Sequence, residues 1–398
     1  MRGTVDVRMS RAVVGPMLAA VVLLGLADSM AGTYLVLFAV EEARFAPLQV
    51  GVFVSAVALG GIVASMIFGR RFDRAPTRRW LVVSVLAGAG GYALLSVITG
   101  FPSLLLVGLV LLGAVGAGYP QLFALADVAF AVNAKKRVAP LLRSGWSLAW
   151  AVGPLLGAWL VSAAGYDIVF QASAVALILT TSTVLLIPRP SGGTRPAPPT
   201  AERRNPRSRG FIAILTASIA LVHTAMFTGS VALPLFVTGD LRRSGSDVGL
   251  LFSACAVVEV LAAFVLVWLL PRVNRPRLIM VGLGLFAIYF LVAALAGSLL
   301  VLLIAQVARG VAIAVIGTAG IQHFQVVMKP AGGAAAALFS NAVTAGSLVS
   351  GVLAGLLVQA FGTTATLGWC AGMSVAAAAA FWLAHRWRPE GVDIDSTV

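Results

Sequence analysis

The chain has 398 residues, 60% of them hydrophobic and only 11% charged, which is too much apolar surface for a water-soluble globule of ordinary proportions. Its 28 Lys and Arg against 14 Asp and Glu give a net charge of +14, which would point to nucleic acid only if the basic residues were gathered on one binding face. Two cysteines and three histidines, none at ligand spacing, imply neither a disulfide framework nor a zinc site.

The apolar residues come in runs of roughly 20, the length a helix rising ~1.5 Å per residue needs to cross ~30 Å of hydrocarbon. In chain order the runs are 12–39, 48–69, 80–99, 103–126, 138–162, 168–187, 211–238, 247–270, 278–297, 299–323, 334–360 and 363–384. Twelve runs predict an all-α membrane protein with both termini on one side. A membrane barrel is excluded, because its strands show alternating segments of ~10 residues whereas these runs are apolar on every face. The first run is too long for a secretory signal core and no small-residue cleavage pattern follows it, so it is expected to be retained.

The first run carries Asp28 at mid-depth, with no obvious local counter-charge. Gln121 lies in the fourth. The fifth holds Arg143 a turn or two inside its start, Trp146 and Trp150 one turn apart, and Trp159 near its outer end, a position that fits the interfacial aromatic belt. An indole offers a flat apolar face and one donor, which suits stacking on a sugar ring or a drug. In the same run Gly153 and Gly157 permit close helix approach, and Pro154 leaves a carbonyl without its helical donor.

Residues 188–210, rich in Pro, Gly, Ser and Arg, read as a flexible cytoplasmic linker between two sets of six helices, 1–187 and 211–398. Beyond it the seventh run carries His223, the eighth Cys255 and Glu259, the tenth Arg309, and the twelfth Cys370; both cysteines read as packing residues. His223 reads equally as a packed histidine and as a titrating one. His323, near the cytoplasmic end of the tenth run, and His385, beside Arg386, read as interfacial.

Placed on this topology, the basic residues fall almost entirely on one side. They are Arg2, Arg8 and Arg11; Arg70, Arg71, Arg74, Arg78 and Arg79; Lys135, Lys136 and Arg137; the linker arginines; Arg272, Arg275, Arg277 and Lys329; and Arg386 and Arg388. Only Arg44, Arg242 and Arg243 face the other way. This positive-inside pattern puts both termini in the cytoplasm and accounts for the net charge without nucleic acid.

The two halves resemble each other at a shift of 198 positions. Residues 35–65 match the stretch from Leu233, with Val50-Gly51 on Val248-Gly249, and a weaker match sets Gln121 and Phe123 against Gln322 and Phe324. Parallel six-helix repeats let one half rock against the other around a shared site. A charged side chain at mid-bilayer costs about 2.5–3.5 kcal/mol on insertion scales, so Asp28, Glu259 and Arg309 each need a partner, a wet cavity or a function. Glu259 and Arg309 read either as a structural pair or as part of a binding site. A carboxyl group in apolar surroundings is suited to exchanging a proton, so Asp28 and Glu259 are the candidates for proton coupling.

Gly69-Arg70-Arg71-Phe72-Asp73-Arg74 followed by Arg78-Arg79 resembles the loop motif of the major facilitator superfamily, with Ala75-Pro76-Thr77 where that motif has a glycine. The resemblance implies a conformational latch at Gly69, Asp73, Arg74 and Arg78, and two parallel six-helix bundles. Gly153, Pro154 and Gly157 resemble the antiporter motif of its exporters. Pro120-Gln121-Leu122-Phe123, Arg143 with Ser147-Leu148-Ala149-Trp150, Glu259, Gln325 and Leu338-Phe339-Ser340-Asn341 together resemble the bacterial sugar efflux transporter family.

That resemblance implies a monomeric, proton-driven exporter of small sugars or glycosides in the bacterial cytoplasmic membrane. It needs no metal and no cofactor, and its pocket residues come from Gln121, Arg143, Trp150, Glu259, Gln325 and Asn341. Asp28, His223 and Arg309 stand where the family has neutral or aromatic residues; counted in the pocket, they suit an amino sugar or a glycosylated natural product. A drug or natural-product exporter on the same scaffold is the alternative. A membrane enzyme is disfavoured by the lack of H-E-x-x-H and G-x-S-x-G, and ATP-driven transport by the lack of any Gly-Lys for a phosphate-binding loop.

Overall fold

The computed structural model describes residues 2–130, 132–187, 206–328 and 332–387, with side chains from residue 13 onward except at 132–137, 206–208 and 332. Most of the expected linker, Lys329 and the tail from Arg388 lie outside the described residues. So do the side chains of Arg2, Arg8, Arg11, Lys135, Lys136, Arg137 and Arg207.

Every regular element among the described residues is a helix, as lipid requires of a chain that must satisfy its own backbone donors and acceptors. The apolar helices are α1 (Val13–Glu41), α2 (Pro47–Arg74), α3 (Arg79–Leu95), α4 (Phe101–Ala129), α5 (Val138–Leu186), α6 (Arg209–Asp240), α7 (Gly245–Leu269), α8 (Arg275–Ala294), α9 (Leu299–Val327) and α10 (Gly333–Arg386). Among the described residues nine of these are long and apolar enough to cross a membrane, and α3 is the shorter one. The chain is an integral membrane protein.

At 49 and 54 residues, α5 and α10 far exceed one crossing. Each is two helices meeting at a glycine in the left-handed region, Gly165 (φ 79°) and Gly362 (φ 80°), a backbone state that glycine alone adopts without strain. The sequence placed a polar break at both points. The structure instead turns within one or two residues.

The chain divides into two compact units, Met1–Pro196 with Gly245–Ser253, and Ala197–Ser244 with Ala254–Val398. In the first, α2 and α4 approach until a side chain at Gly60 would meet the Leu109 carbonyl oxygen at 1.9 Å, beside a π-helical turn at Gly108–Leu112. In the second, α6 lies along α10, with the Ser218 hydroxyl donating to the Ala377 carbonyl at 2.8 Å and a Cβ at Gly346 falling 2.8 Å from the Thr224 nitrogen. Small residues thus face other helices while large ones such as Leu106, Phe264 and Trp268 are exposed, the arrangement expected when lipid covers the outside.

The repeat extends to backbone detail. After α1, Ala43 N–H bonds Phe38 O and Phe45 N–H bonds Ala39 O; after α6, Leu241 N–H bonds Phe236 O and Arg243 N–H bonds Val237 O. Each pair of bonds encloses an arginine with positive φ, Arg44 (56°) and Arg242 (51°), a conformation costing about 1 kcal/mol or more in a residue with a Cβ. Two further bonds correspond across the halves: the Tyr166 hydroxyl donates to Glu41 at 2.7 Å, and the Thr363 hydroxyl donates to Asp240, each just past the glycine kink.

Candidate functional site

In the first unit the antiporter-like residues form the seam between α1 and the first arm of α5. A Cβ at Gly153 would lie 1.9 Å from Ser29 Oγ, and one at Gly157 would lie 2.5 Å from the Tyr34 ring. The Ser29 hydroxyl donates to the Ala149 carbonyl at 3.1 Å, and the Tyr34 hydroxyl donates to the Pro154 carbonyl at 3.1 Å. Two hydroxyls of α1 thus bond α5 carbonyls, one about a turn before Pro154 and one the proline's own, and the two glycines make the approach possible.

The same unit holds an aromatic group spanning α4 and α5. Tyr119 sits 4.5 Å between ring centroids from both Phe123 and Trp146, and Arg143 acts electrostatically on its hydroxyl. One turn beyond Trp146, the Trp150 indole N–H is buried with no hydrogen-bond partner among the described residues. Gln121 on α4 is 3% exposed, and both ends of its amide are likewise without partners among the described residues. A buried polar group left unbonded costs about 1–3 kcal/mol, so each of these side chains retains an unused capacity to bond a polar group. Arg143 is exposed, and Asp28 is half-buried on α1, where it acts electrostatically on Tyr92 of α3.

In the second unit Arg309 is 4% exposed. It donates to Ser230 Oγ at 2.8 Å and to Gln306 Oε1 at 3.5 Å, stacks 5.5 Å from the Tyr289 ring centroid, and lies within electrostatic reach of Glu259. Residues of α6, α7, α8 and α9 thus converge on one guanidinium, spreading a charge that hydrocarbon would otherwise expel. His223 is 9% exposed; its Nδ1 donates to the Ile219 carbonyl at 2.7 Å, and its ring lies 6.1 Å from Phe339. That is the geometry of a packed histidine. Gln325 and Asn341 are exposed.

The loop motif shows a specific role for one arginine. Arg78 donates to the Leu185 and Ile187 carbonyls, both at 2.6 Å, and so caps the end of α5, where unpaired carbonyls and the helix dipole favour a cation. Arg71 and Arg79 flank Trp80, while Gly69 faces open space. Arg78→Ala is expected to lower stability by about 1–2 kcal/mol and Arg78→Lys by about half as much, measured by thermal unfolding in detergent.

His323, near the end of its run, is 1% exposed, with Nε2 3.1 Å from Nε2 of His385. The sequence put His323 within a turn of the run's end, where burial depends on the neighbouring helix and not on depth alone. Tyr119, Ser29, Tyr34, Tyr289, Gln306 and Ser230 were not singled out in the sequence either. Their signal, a polar or aromatic side chain inside an apolar run, is too common to separate them.

A family model described as Major Facilitator Superfamily matches residues 17–231 and 215–396. A Deinococcus radiodurans protein classed as a sugar efflux transporter is 35% identical over 371 residues, 90% of this chain and 94% of its own length. Sugar efflux transporter A of Escherichia coli is 26% identical over 89% of this chain and 92% of its own. Among solved structures, a variant of the nucleoside transporter NupG aligns with a TM-score of 0.75 at 16% identity, over 93% of this chain and 99% of that one. A bacterial homologue of the human lysosomal transporter Spinster, inward-facing and unoccupied, aligns with a TM-score of 0.73 at 15% identity, over 95% and 97%. At these identities the two structures speak for the fold alone.

Proposed function

Because the chain belongs to the Major Facilitator Superfamily and matches sugar efflux transporters over nearly its whole length, we propose that it exports small sugars or glycosides in exchange for protons, by alternating access. The observation that carries the sugar assignment is two buried polar side chains with no hydrogen-bond partner among the described residues, the Gln121 amide on α4 and the Trp150 indole N–H on α5, on the two helices that the Tyr119–Trp146 ring contact joins. A sugar ring offers what they lack: hydroxyls that both donate and accept, and an apolar face for aromatic stacking.

In this reading the two kinked helices each cross twice, so the chain crosses the membrane twelve times, as two six-helix bundles, 1–187 and 211–398, joined by a linker at 188–210. The protein is a monomer in a bacterial cytoplasmic membrane with both termini inside. Arg143, Gln325 and Asn341 border the substrate path, and Asp73 and Arg74 belong to the latch. Asp28 and Glu259 carry the coupling protons. Arg309 serves Glu259 as its counter-charge, which supports the carboxylate when the proton leaves.

Purified protein in vesicles with an imposed pH gradient tests this directly. Labelled mono- and disaccharides are expected to move against the proton flux and to be displaced by one another; displacement by lipophilic cations alone would sink the sugar assignment and favour the drug exporter. Asp28→Asn and Glu259→Gln, made separately, are expected to lower gradient-driven transport at least about tenfold, the scale of losing one coupled protonation, while sugar exchange without a gradient persists. Full coupling in both variants would remove these carboxylates from the proton path.

A further inference from the structure

The pair formed by His323 and His385 has a fixed proton arrangement. His385 Nδ1 lies 2.8 Å from the Phe381 carbonyl, which can only accept, so that nitrogen carries a proton. In the neutral ring Nε2 is then a lone pair. His323 Nε2, 3.1 Å away, must therefore be the donor, and His323 Nδ1 is left as a lone pair, which is buried and has no hydrogen-bond partner among the described residues. The contact joins α9 to the last turn of α10 across 62 positions of sequence.

We propose that this imidazole pair is a proton-sensitive fastening between α9 and α10, closed while both rings are neutral and opened when His385 takes up a proton. A proton on His385 Nε2 would set two N–H groups head to head at a separation that fits only one hydrogen, and moving the His323 proton to Nδ1 instead would bury an N–H that has no acceptor among the described residues. His323 is sealed at 1% exposure, whereas His385 is half-buried at the helix end, so the proton arrives at His385. Arg275 of α8 acts on His323, α6 presents Phe211 at 5.6 Å from the His385 ring, Arg386 turns to Trp382 at 5.1 Å, and Phe381 packs at 4.3 Å. Opening the pair releases the end of α10 in the range where histidines titrate, about pH 5–8. This fastening is separate from the coupling carboxylates and does not depend on the identity of the substrate.

The whole chain has three histidines, so nitrogen NMR of the labelled protein resolves them individually. At pH 7.5, His385 is expected as the Nδ1–H tautomer and His323 as the Nε2–H tautomer; the same tautomer in both rings, or a charged His385, overturns the proposal. Amide exchange at the end of α10, corrected for intrinsic rate, is expected to rise about five- to tenfold between pH 7.5 and 5.5, the worth of one hydrogen bond. His385→Gln keeps an acceptor that cannot titrate in this range and is expected to exchange slowly at both pH values. An unchanged pH response in His385→Gln, or none in the native protein, also overturns it.

Discussion

Gly153→Ala is expected to remove most transport and to lower stability by about 1–3 kcal/mol, the usual cost of forcing a methyl group into a filled interface. The new carbon would stand 1.9 Å from Ser29 Oγ, 3.0 Å from Ser29 Cβ and 3.5 Å from the Leu26 carbonyl oxygen. Ser29 has little freedom to give way, since its hydroxyl is bonded to the Ala149 carbonyl on the same face of α5. Rotating the hydroxyl would break that bond and still leave Cβ against Cβ, so α1 has to separate from α5.

A compensating pair distinguishes packing from flexibility. Ser29→Gly alone sacrifices one hydrogen bond, worth about 0.6 kcal/mol between membrane helices, and is expected to leave transport largely intact. Combined with Gly153→Ala it moves the bulk to the other side of the seam, and the double variant is expected to recover most of both transport and thermal stability. If the double variant stays as impaired as Gly153→Ala, the glycine is needed for backbone motion at Pro154 and not for closeness.

This seam also marks how far the sequence can be read. Gly153 and Gly157 stand out because membrane helices approach only through small residues, and the helices stand out because hydrocarbon thickness sets their length. Asp28, Glu259 and Arg309 are conspicuous because charge in an apolar run is rare. Their company is not legible in the same way. That Arg309 meets Ser230, Tyr289 and Gln306, or that His323 meets His385, depends on the rotation and relative depth of helices far apart in the chain, which periodicity does not report when every face is apolar. Arg78 is visible as part of a loop motif, yet the carbonyls it caps lie 107 and 109 positions away. Arg44 and Arg242 run against residue preference altogether, since a left-handed turn is read from glycine or asparagine. Only the matching hydrogen bonds in the two halves reveal them.

Gln121→Leu is expected to do two things that seldom go together: raise thermal stability and abolish saturable sugar transport. Leucine fills nearly the same space as glutamine, and the amide it replaces is buried with no hydrogen-bond partner among the described residues at either end. Removing such a group recovers about 1–3 kcal/mol of desolvation cost. With the sugar site proposed at Gln121, sugar hydroxyls would offset that cost on binding, so the half-saturating sugar concentration is expected to rise at least about tenfold, which is 1.4 kcal/mol, the worth of one or two lost hydrogen bonds. Sugar added at 100 times its dissociation constant stabilises a binding-competent protein by about 2.7 kcal/mol, and this shift in unfolding temperature should vanish in Gln121→Leu. Trp150→Phe keeps the flat face and loses only the donor, so it is expected to weaken sugar binding less and to gain less stability. The converse pattern, lower stability with sugar affinity unchanged, would make the Gln121 amide a structural bond between helices and move the sugar elsewhere.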